Sequence, residues 1–190
     1  SSPSNYLINV QPNKGEAYAG LVGYNPHNGY REYITTMLKE GLIKGEEYIF
    51  SIAISQPELA LYFTSNLGVI FSNDSLNINS LPTSLITTAD INIAVPKGFL
   101  QCRNTWTEYS FNYTAKGGER YLHLGCFLTD EKLLYRMYED RRGFCQKTGY
   151  KDAYYLLDEI SLINKKDTGI SDQEKVKSLV AKNKEWTDSF

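Results

Sequence analysis

Cysteine and histidine are scarce in this chain, with three Cys and two His among 190 residues. Cys102, Cys126 and Cys145 form no CxxC pair, so a structural zinc site lacks a ligand set. An odd count allows at most one internal disulfide. Cys126 closes an apparent strand and Cys145 lies in the connection after it, so that pair is the bridge expected in an oxidising compartment. Three free, half-buried thiols are the alternative. No apolar run approaches the roughly 18–20 residues needed to span a bilayer, and no membrane insertion is expected. Ser1-Ser2-Pro3-Ser4 lacks the basic-then-apolar order of a secretory signal, which reads as a soluble, already processed chain. An excess of one charge is missing too. Twenty Lys and Arg are interspersed with 22 Asp and Glu for a net charge of −2, so neither nucleic acid nor an anionic membrane is an expected partner. There is no internal repeat and no low-complexity segment. The paired glycines Gly117-Gly118 sit between two strands rather than ahead of a helix, which excludes a phosphate-binding loop.

What the chain has is tyrosine, 15 residues of it, which with Phe and Trp raises aromatics to 13% and suits pleated, half-buried surfaces. Period-2 alternation defines eight strand candidates: 17–24, 31–38, 47–55, 63–71, 84–93, 106–115, 119–127 and 153–162. Turn signals such as Asn25-Pro26-His27-Asn28-Gly29 and Lys44-Gly45-Glu46 separate them. Tyr109 to Phe127 reads as a β-hairpin hinged at Lys116-Gly117-Gly118. In Glu47–Ser55, Tyr48, Phe50, Ile52 and Ile54 share a core face while Glu47, Ser51 and Ser55 share a solvent face. Eight antiparallel strands with irregular loops predict an all-β jelly-roll β-sandwich, with an immunoglobulin sandwich as competitor. Residues 1–163 form that domain and 164–190 a charged linker with a C-terminal helix, its stripe being Val176, Leu179, Val180 and Trp186. A short helix is predicted over Thr129–Arg142, where Leu133, Leu134, Met137 and Tyr138 have helical spacing behind Asp130-Glu131.

Catalytic signals are weak. A Ser–His–acid triad would need His27 or His123, and neither adjoins a nucleophile-elbow sequence. No pair of carboxylates is marked out for glycoside hydrolysis, so no enzyme is expected. Sugar recognition asks for exposed rings to stack on pyranose CH faces beside hydrogen-bonding groups. Tyr24, Asn25, Asn28, Tyr30 and Arg31 gather in and around one loop, and Tyr62 and Trp106 flank other strand ends. The competing reading makes Trp106 core and the tyrosines ordinary strand residues. Asp158 falls on the face of Leu156, Ile160 and Leu162, so the register aims a carboxylate at the core, where it needs a partner.

The run Gly15-Glu16-Ala17-Tyr18-Ala19-Gly20, then Tyr30-Arg31-Glu32-Tyr33-Ile34, Leu42 to Ser55, Leu67-Gly68-Val69-Ile70-Phe71-Ser72, Trp106 through Leu122, and Tyr154-Tyr155-Leu156-Leu157-Asp158-Glu159-Ile160-Ser161-Leu162 resembles a family of Bacteroidetes surface and secreted jelly-roll domains. These often precede outer-membrane, peptidoglycan-associating modules and are similar to galactose-binding-like carbohydrate-binding modules. The family's usual opening strand has no counterpart before Tyr6, and Leu124-Gly125-Cys126-Phe127 stands where the family has Ile-Gly-Asn-Phe. The resemblance implies an extracytoplasmic location, at the cell surface, outer membrane-associated or secreted. It also implies a structural Ca²⁺ where the last strand meets the first, with oxygens from Asp158 and Glu16. Backbone amides or an Arg are the alternative partners for Asp158. The function expected is a non-catalytic domain recognising a glycan, with adhesion to an envelope protein as the alternative.

Overall fold

The computed structural model describes residues 4–5, 8–76, 89–94, 103–138 and 151–168. Twelve strands run along it: β1 (Ser4–Asn5), β2 (Ile8–Asn9), β3 (Ala19–Tyr24), β4 (Tyr33–Met37), β5 (Glu47–Ser55), β6 (Tyr62–Thr64), β7 (Asn66–Ser72), β8 (Ile91–Ala94), β9 (Thr107–Thr114), β10 (Tyr121–Gly125), β11 (Tyr135–Met137) and β12 (Ala153–Asn164). Two four-stranded antiparallel sheets, β3-β12-β5-β9 and β4-β10-β7-β8, carry the fold, while β1-β2 and β11-β6 are small two-stranded ribbons. With the ribbons set aside, one sheet takes the first, eighth, third and sixth strands and the other the second, seventh, fourth and fifth. That is the double Greek key of a jelly roll. It follows from the sheet order alone and sets the immunoglobulin alternative aside.

The eight predicted strands are these eight. Glu47–Ser55 matches residue for residue, and the predicted 63–71 strand proves to be two, β6 and β7, parted at Ser65. Of the predicted 84–93 strand, residues 84–88 lie outside the described segments, as does the predicted helix at 171–186. Side chains of both sheets meet in one core: Phe50, Ile52 and Ile54 from β5, Leu67 and Val69 from β7, Leu122 and Leu124 from β10, and Tyr155 and Leu157 from β12.

Several expectations are corrected. Tyr109 to Phe127 is not a hairpin: β9 pairs with β5, while β10 pairs with β4 and β7. Lys116-Gly117-Gly118 therefore carries the chain from one sheet to the other. Both glycines keep positive φ, 103° and 88°, as a tight turn needs. Glu119 replaces the missing ladder, its buried carboxylate accepting from the Lys116 amide at 2.6 Å, the Gly117 amide at 2.8 Å and the Tyr113 hydroxyl at 2.8 Å. The outward face of β5 is not a solvent face either. Ile49, Ala53 and Ser55 are buried, and Ser51 bonds Ser110 of β9 at 2.9 Å.

The helix predicted over Thr129–Arg142 is absent from residues 129–138, and 139–142 lie outside the described segments. The helical spacing extends to a single turn, with Lys132 and Leu133 amides donating to the Thr129 carbonyl. Beyond it the open edge of β6 captures the chain as β11, Tyr135 facing Thr64 and Met137 facing Tyr62. Edge pairing gives the facing amides and carbonyls of both strands partners at once, whereas so short a helix is marginal in water.

Two satellite clusters lie on the outer faces. Val10, Tyr18 and Leu156, with half-buried Trp106 and Tyr154, cover one sheet. On the other, Tyr33 and Phe127 stack at 5.3 Å over Gly125 and Gly68. A Cβ on Gly125 would collide with the Tyr33 ring.

Candidate functional site

The loop after β3 is built on its own polar side chains. Asn25 Oδ1 accepts the His27 amide at 2.8 Å, Asn28 Oδ1 accepts the Tyr30 amide at 3.0 Å, and the Asn25 amide donates to the Tyr30 carbonyl at 2.9 Å. Gly29, at φ 72°, closes the turn. These bonds within the loop fix its turn conformation.

Arg31 fastens the loop to the sandwich. Its guanidinium lies 4.6 Å over the Tyr24 ring, donates to the carbonyls of Gly29 and Leu128, and meets Asp130 Oδ1 at 2.5 Å. Burial is the largest influence and disfavours the cation, yet the hydrogen bond to Asp130, the Cys126 thiol and the Asp130 charge together outweigh it and leave the Arg31 pKa raised. Its side chain is only 6% exposed, so Arg31 is a strut here.

Around this strut the predicted residues converge. Tyr24 is buried, and its ring sits 5.3 Å from that of Tyr135. Tyr135 lies 6.1 Å from Tyr62, and Tyr62 makes an edge contact with His27 at 6.3 Å. Asn25 Nδ2 donates to Asp152 Oδ1 at 2.6 Å beside them. Tyr30 stands 52% exposed with its hydroxyl on Glu32, whose charge pushes the phenol pKa up. The result is one surface on which Tyr62, Tyr135 and His27 offer rings, and Asn25, Asp152, Asn28 and Tyr30 offer polar groups. Leu134 and Met137 border it, 59% and 47% exposed.

Tyr135, His27 and Asp152 were not among the predicted site residues. The helical spacing of 129–142 takes in Tyr135, and the β11–β6 pairing is what brings it beside Tyr62. His27 has no sequence signal beyond its place in the loop. Asp152 has no local signal, since its partner Asn25 is 127 residues away. Trp106 lies outside both the central core and this surface; it packs, half-buried, against the satellite cluster of Val10, Tyr18 and Leu156.

The calcium expectation meets a donor set of the wrong kind. Tyr155 and Leu157 point into the core, so Leu156 and Asp158 face outward, and a bulge between Asp158 and Ser161, with Glu159 at φ 52°, turns Leu162 back inward. Asp158 accepts the amides of Asn13 at 2.8 Å, Lys14 at 3.2 Å and Glu159 at 2.8 Å. Lys14 Nζ adds a positive charge 2.9 Å from Glu159, and Glu16 is exposed. A hard cation asks for converging oxygens, so these residues do not fit one. Among the described residues no cluster of three or more His, Cys, Asp or Glu could hold a metal. Cys126 is a free, fully buried thiol, and Cys145 lies outside the described segments.

His123 comes nearest to a catalytic arrangement, with Nε2 at 2.8 Å from Ser72 Oγ and Nδ1 at 2.9 Å from Thr35 Oγ1. Ser72 donates its proton to the Asp74 carbonyl, so its oxygen accepts from Nε2–H and Nδ1 accepts from Thr35. Thr35 stands where a triad has its acid, and the imidazole is fully buried. The three side chains tie β4, β10 and β7 together across one face. Among the described residues no helix is long and apolar enough to cross a membrane.

No protein-family model matches the chain, and neither does any curated protein sequence. Solved structures with partial likeness include the K3 cleaved adhesin domain of Lys-gingipain from Porphyromonas gingivalis W83, 10% identical, covering 80% of this chain and 82% of that one, with a TM-score of 0.39. The K1 cleaved adhesin domain of the same protein is 14% identical over 77% of this chain and 73% of its own, also at 0.39. A CBM4 structure is 12% identical over 78% and 71%, again at 0.39. At these scores the jelly-roll assignment stands on the sheet order described above.

Proposed function

We propose that this chain is a non-catalytic extracytoplasmic binding domain of a cell-surface or secreted protein, and that it recognises a glycan on the Tyr62–Tyr135 surface. One observation carries the reading: the loop 25–30, Tyr62, Tyr135 and Asp152 come from four distant parts of the chain and meet as rings with a hydrogen-bonding rim. Ring faces take the CH faces of pyranoses, and amide, carboxylate and phenol groups bond their hydroxyls. The loop's internal bonds and the Arg31 strut hold these groups in place beforehand, so little ordering entropy opposes binding. The location follows the motif resemblance to surface and secreted domains.

The experiment is a glycan array probed with the wild-type chain and with Tyr62→Ala and Tyr135→Ala. The expected result is reproducible binding to one glycan class, weakened about tenfold or more by either variant, since a lost stacking ring costs roughly 0.5–1.5 kcal/mol beyond its buried area. A blank array overturns the reading. Exposed Leu134 and Met137 then favour the second one, adhesion to an envelope protein across the β11 strand.

A further inference from the structure

A cleft of about 320 Å³ opens on the outer face of the β3-β12-β5-β9 sheet, lined by Val10, Gln11, Pro12, Asn13, Asn104 and Trp106. That volume lies at the lower end of the range for small-molecule sites. Its walls are fixed from behind. The Trp106 indole donates Nε1–H to the Gln11 carbonyl at 2.8 Å, and Tyr18 packs against it with centroids 5.9 Å apart. The Asn13 amide is held by Asp158 at 2.8 Å, which sets the backbone from which its side chain projects. Asn104 is held at φ 55° while its amide donates to the Gln56 carbonyl at 2.8 Å, an uncommon backbone state for a non-glycine residue.

Asn13 Nδ2 is shielded from solvent and has no hydrogen-bond partner. An amide donor left so costs about 1–3 kcal/mol. Asn13 lines the cleft, and its last side-chain torsion is soft enough for the amide to adjust to a ligand there. Every lining residue is uncharged. Of the charges nearby, Lys14 is engaged by Glu159 and Asp158 by three backbone amides. An aromatic ring, side-chain amides and an uncharged lining suit a neutral ligand with one apolar face and several hydroxyls.

We propose that the Trp106–Asn13 cleft is a second binding site, taking a single uncharged pyranose ring stacked on the indole and hydrogen-bonded to Asn13 and Asn104. The inference rests on the reading of this chain as a glycan-binding domain, but it uses residues the Tyr62–Tyr135 surface does not contain.

The test is a ¹⁵N NMR titration of the whole chain with the methyl glycosides of glucose, galactose, mannose and N-acetylglucosamine, up to about 50 mM, which covers the millimolar affinity of one ring. The Trp106 indole N–H signal is assigned with Trp106→Phe. The expected result is a saturable shift of that signal with at least one glycoside. Asn13→Ala weakens the affinity about tenfold, as loss of one buried hydrogen bond implies. Asn104→Gly, which suits the positive φ while removing that side-chain amide, weakens it several-fold. Tyr62→Ala and Tyr135→Ala leave it unchanged. Absence of any indole shift across the four probes overturns the proposal, as does the same affinity in wild type, Asn13→Ala and Asn104→Gly. An array glycan that binds through Tyr62 and Tyr135 but leaves the Trp106 signal unmoved overturns the cleft and leaves the first site standing.

Discussion

Glu119 and His123 are buried polar side chains that hold backbone and strands in place, and both leave a signature in pH. Burial alone would push the Glu119 carboxyl up, but its own amide, the Tyr113 hydroxyl and the amides of Lys116 and Gly117 hold it below the usual carboxylate range. The same contact, added to burial, drives the Tyr113 phenol well above its ordinary value. A lowered acid pKa gives stability that is present above the unfolded value of 4.5 and lost as pH falls through the folded one. Glu119→Gln removes that acid-side loss and destabilises by roughly 2 kcal/mol in urea unfolding at neutral pH, since bonds to a charged group are worth about 1.5–3 kcal/mol. His123 runs on a different branch. Burial lowers its pKa below 6.5, so the unfolded chain binds the extra proton first and stability falls as pH drops from 6.5 toward the folded value. The slope approaches about 1.4 kcal/mol per pH unit in that window. Melting curves from pH 8 to 5 should show it in wild type and lack it in His123→Gln; an unchanged profile in that variant refutes the assignment.

Among the elements, the strands were legible because alternation is a local signal, and β5 was readable to the residue. Pairing was not legible. Two alternating stretches around Gly117-Gly118 have all the local chemistry of a hairpin, yet a jelly roll pairs consecutive strands within a sheet only at β7–β8 and sends β9 and β10 to opposite sheets. The β11 error has the same root, since the edge of β6 lies some 70 residues earlier in the chain. For the candidate site, the 25–30 loop announced itself through clustered Tyr and Asn, while Tyr135 and Asp152 became visible only through tertiary contact. One element invites a direct test. On β10, Gly125 lets the Tyr33 ring lie flat against the sheet beside Phe127. Gly125→Ala drives a methyl into that ring and is expected to cost about 1–3 kcal/mol, the usual range for overpacking. Tyr33→Ala in the same chain should recover most of the cost of the added methyl in a double-mutant cycle; purely additive losses would show that the strain lies elsewhere.

At the scale of the whole molecule the outer face of the β3-β12-β5-β9 sheet is sealed by the segment 10–14, and Asp158 is what fastens it. Its two oxygens take the amides of Asn13 and Lys14 on one side and of Glu159 on the other, so a single carboxylate joins the start of the sandwich to the bulge in its last long strand. The bulge itself explains why a strict period of two misplaced this residue: Glu159 at φ 52° shifts the register, and alternation counted through it assigns the wrong face. A calcium site and an amide clamp at Asp158 make opposite demands. A bound cation makes the melting temperature fall with chelator, because a ligand that binds only the folded state adds stability by mass action. The clamp predicts no response to EDTA, together with a loss of roughly 1–2 kcal/mol in Asp158→Ala as the partly buried Asn13 amide and the exposed amides of Lys14 and Glu159 lose their acceptor. In that variant the Trp106 indole, whose partner Gln11 lies in the unfastened segment, should shift in the ¹⁵N spectrum while Tyr62 and Tyr135 do not. The geometry commits to the clamp; an EDTA-dependent melting temperature in wild type that disappears in Asp158→Ala would replace it with the cation.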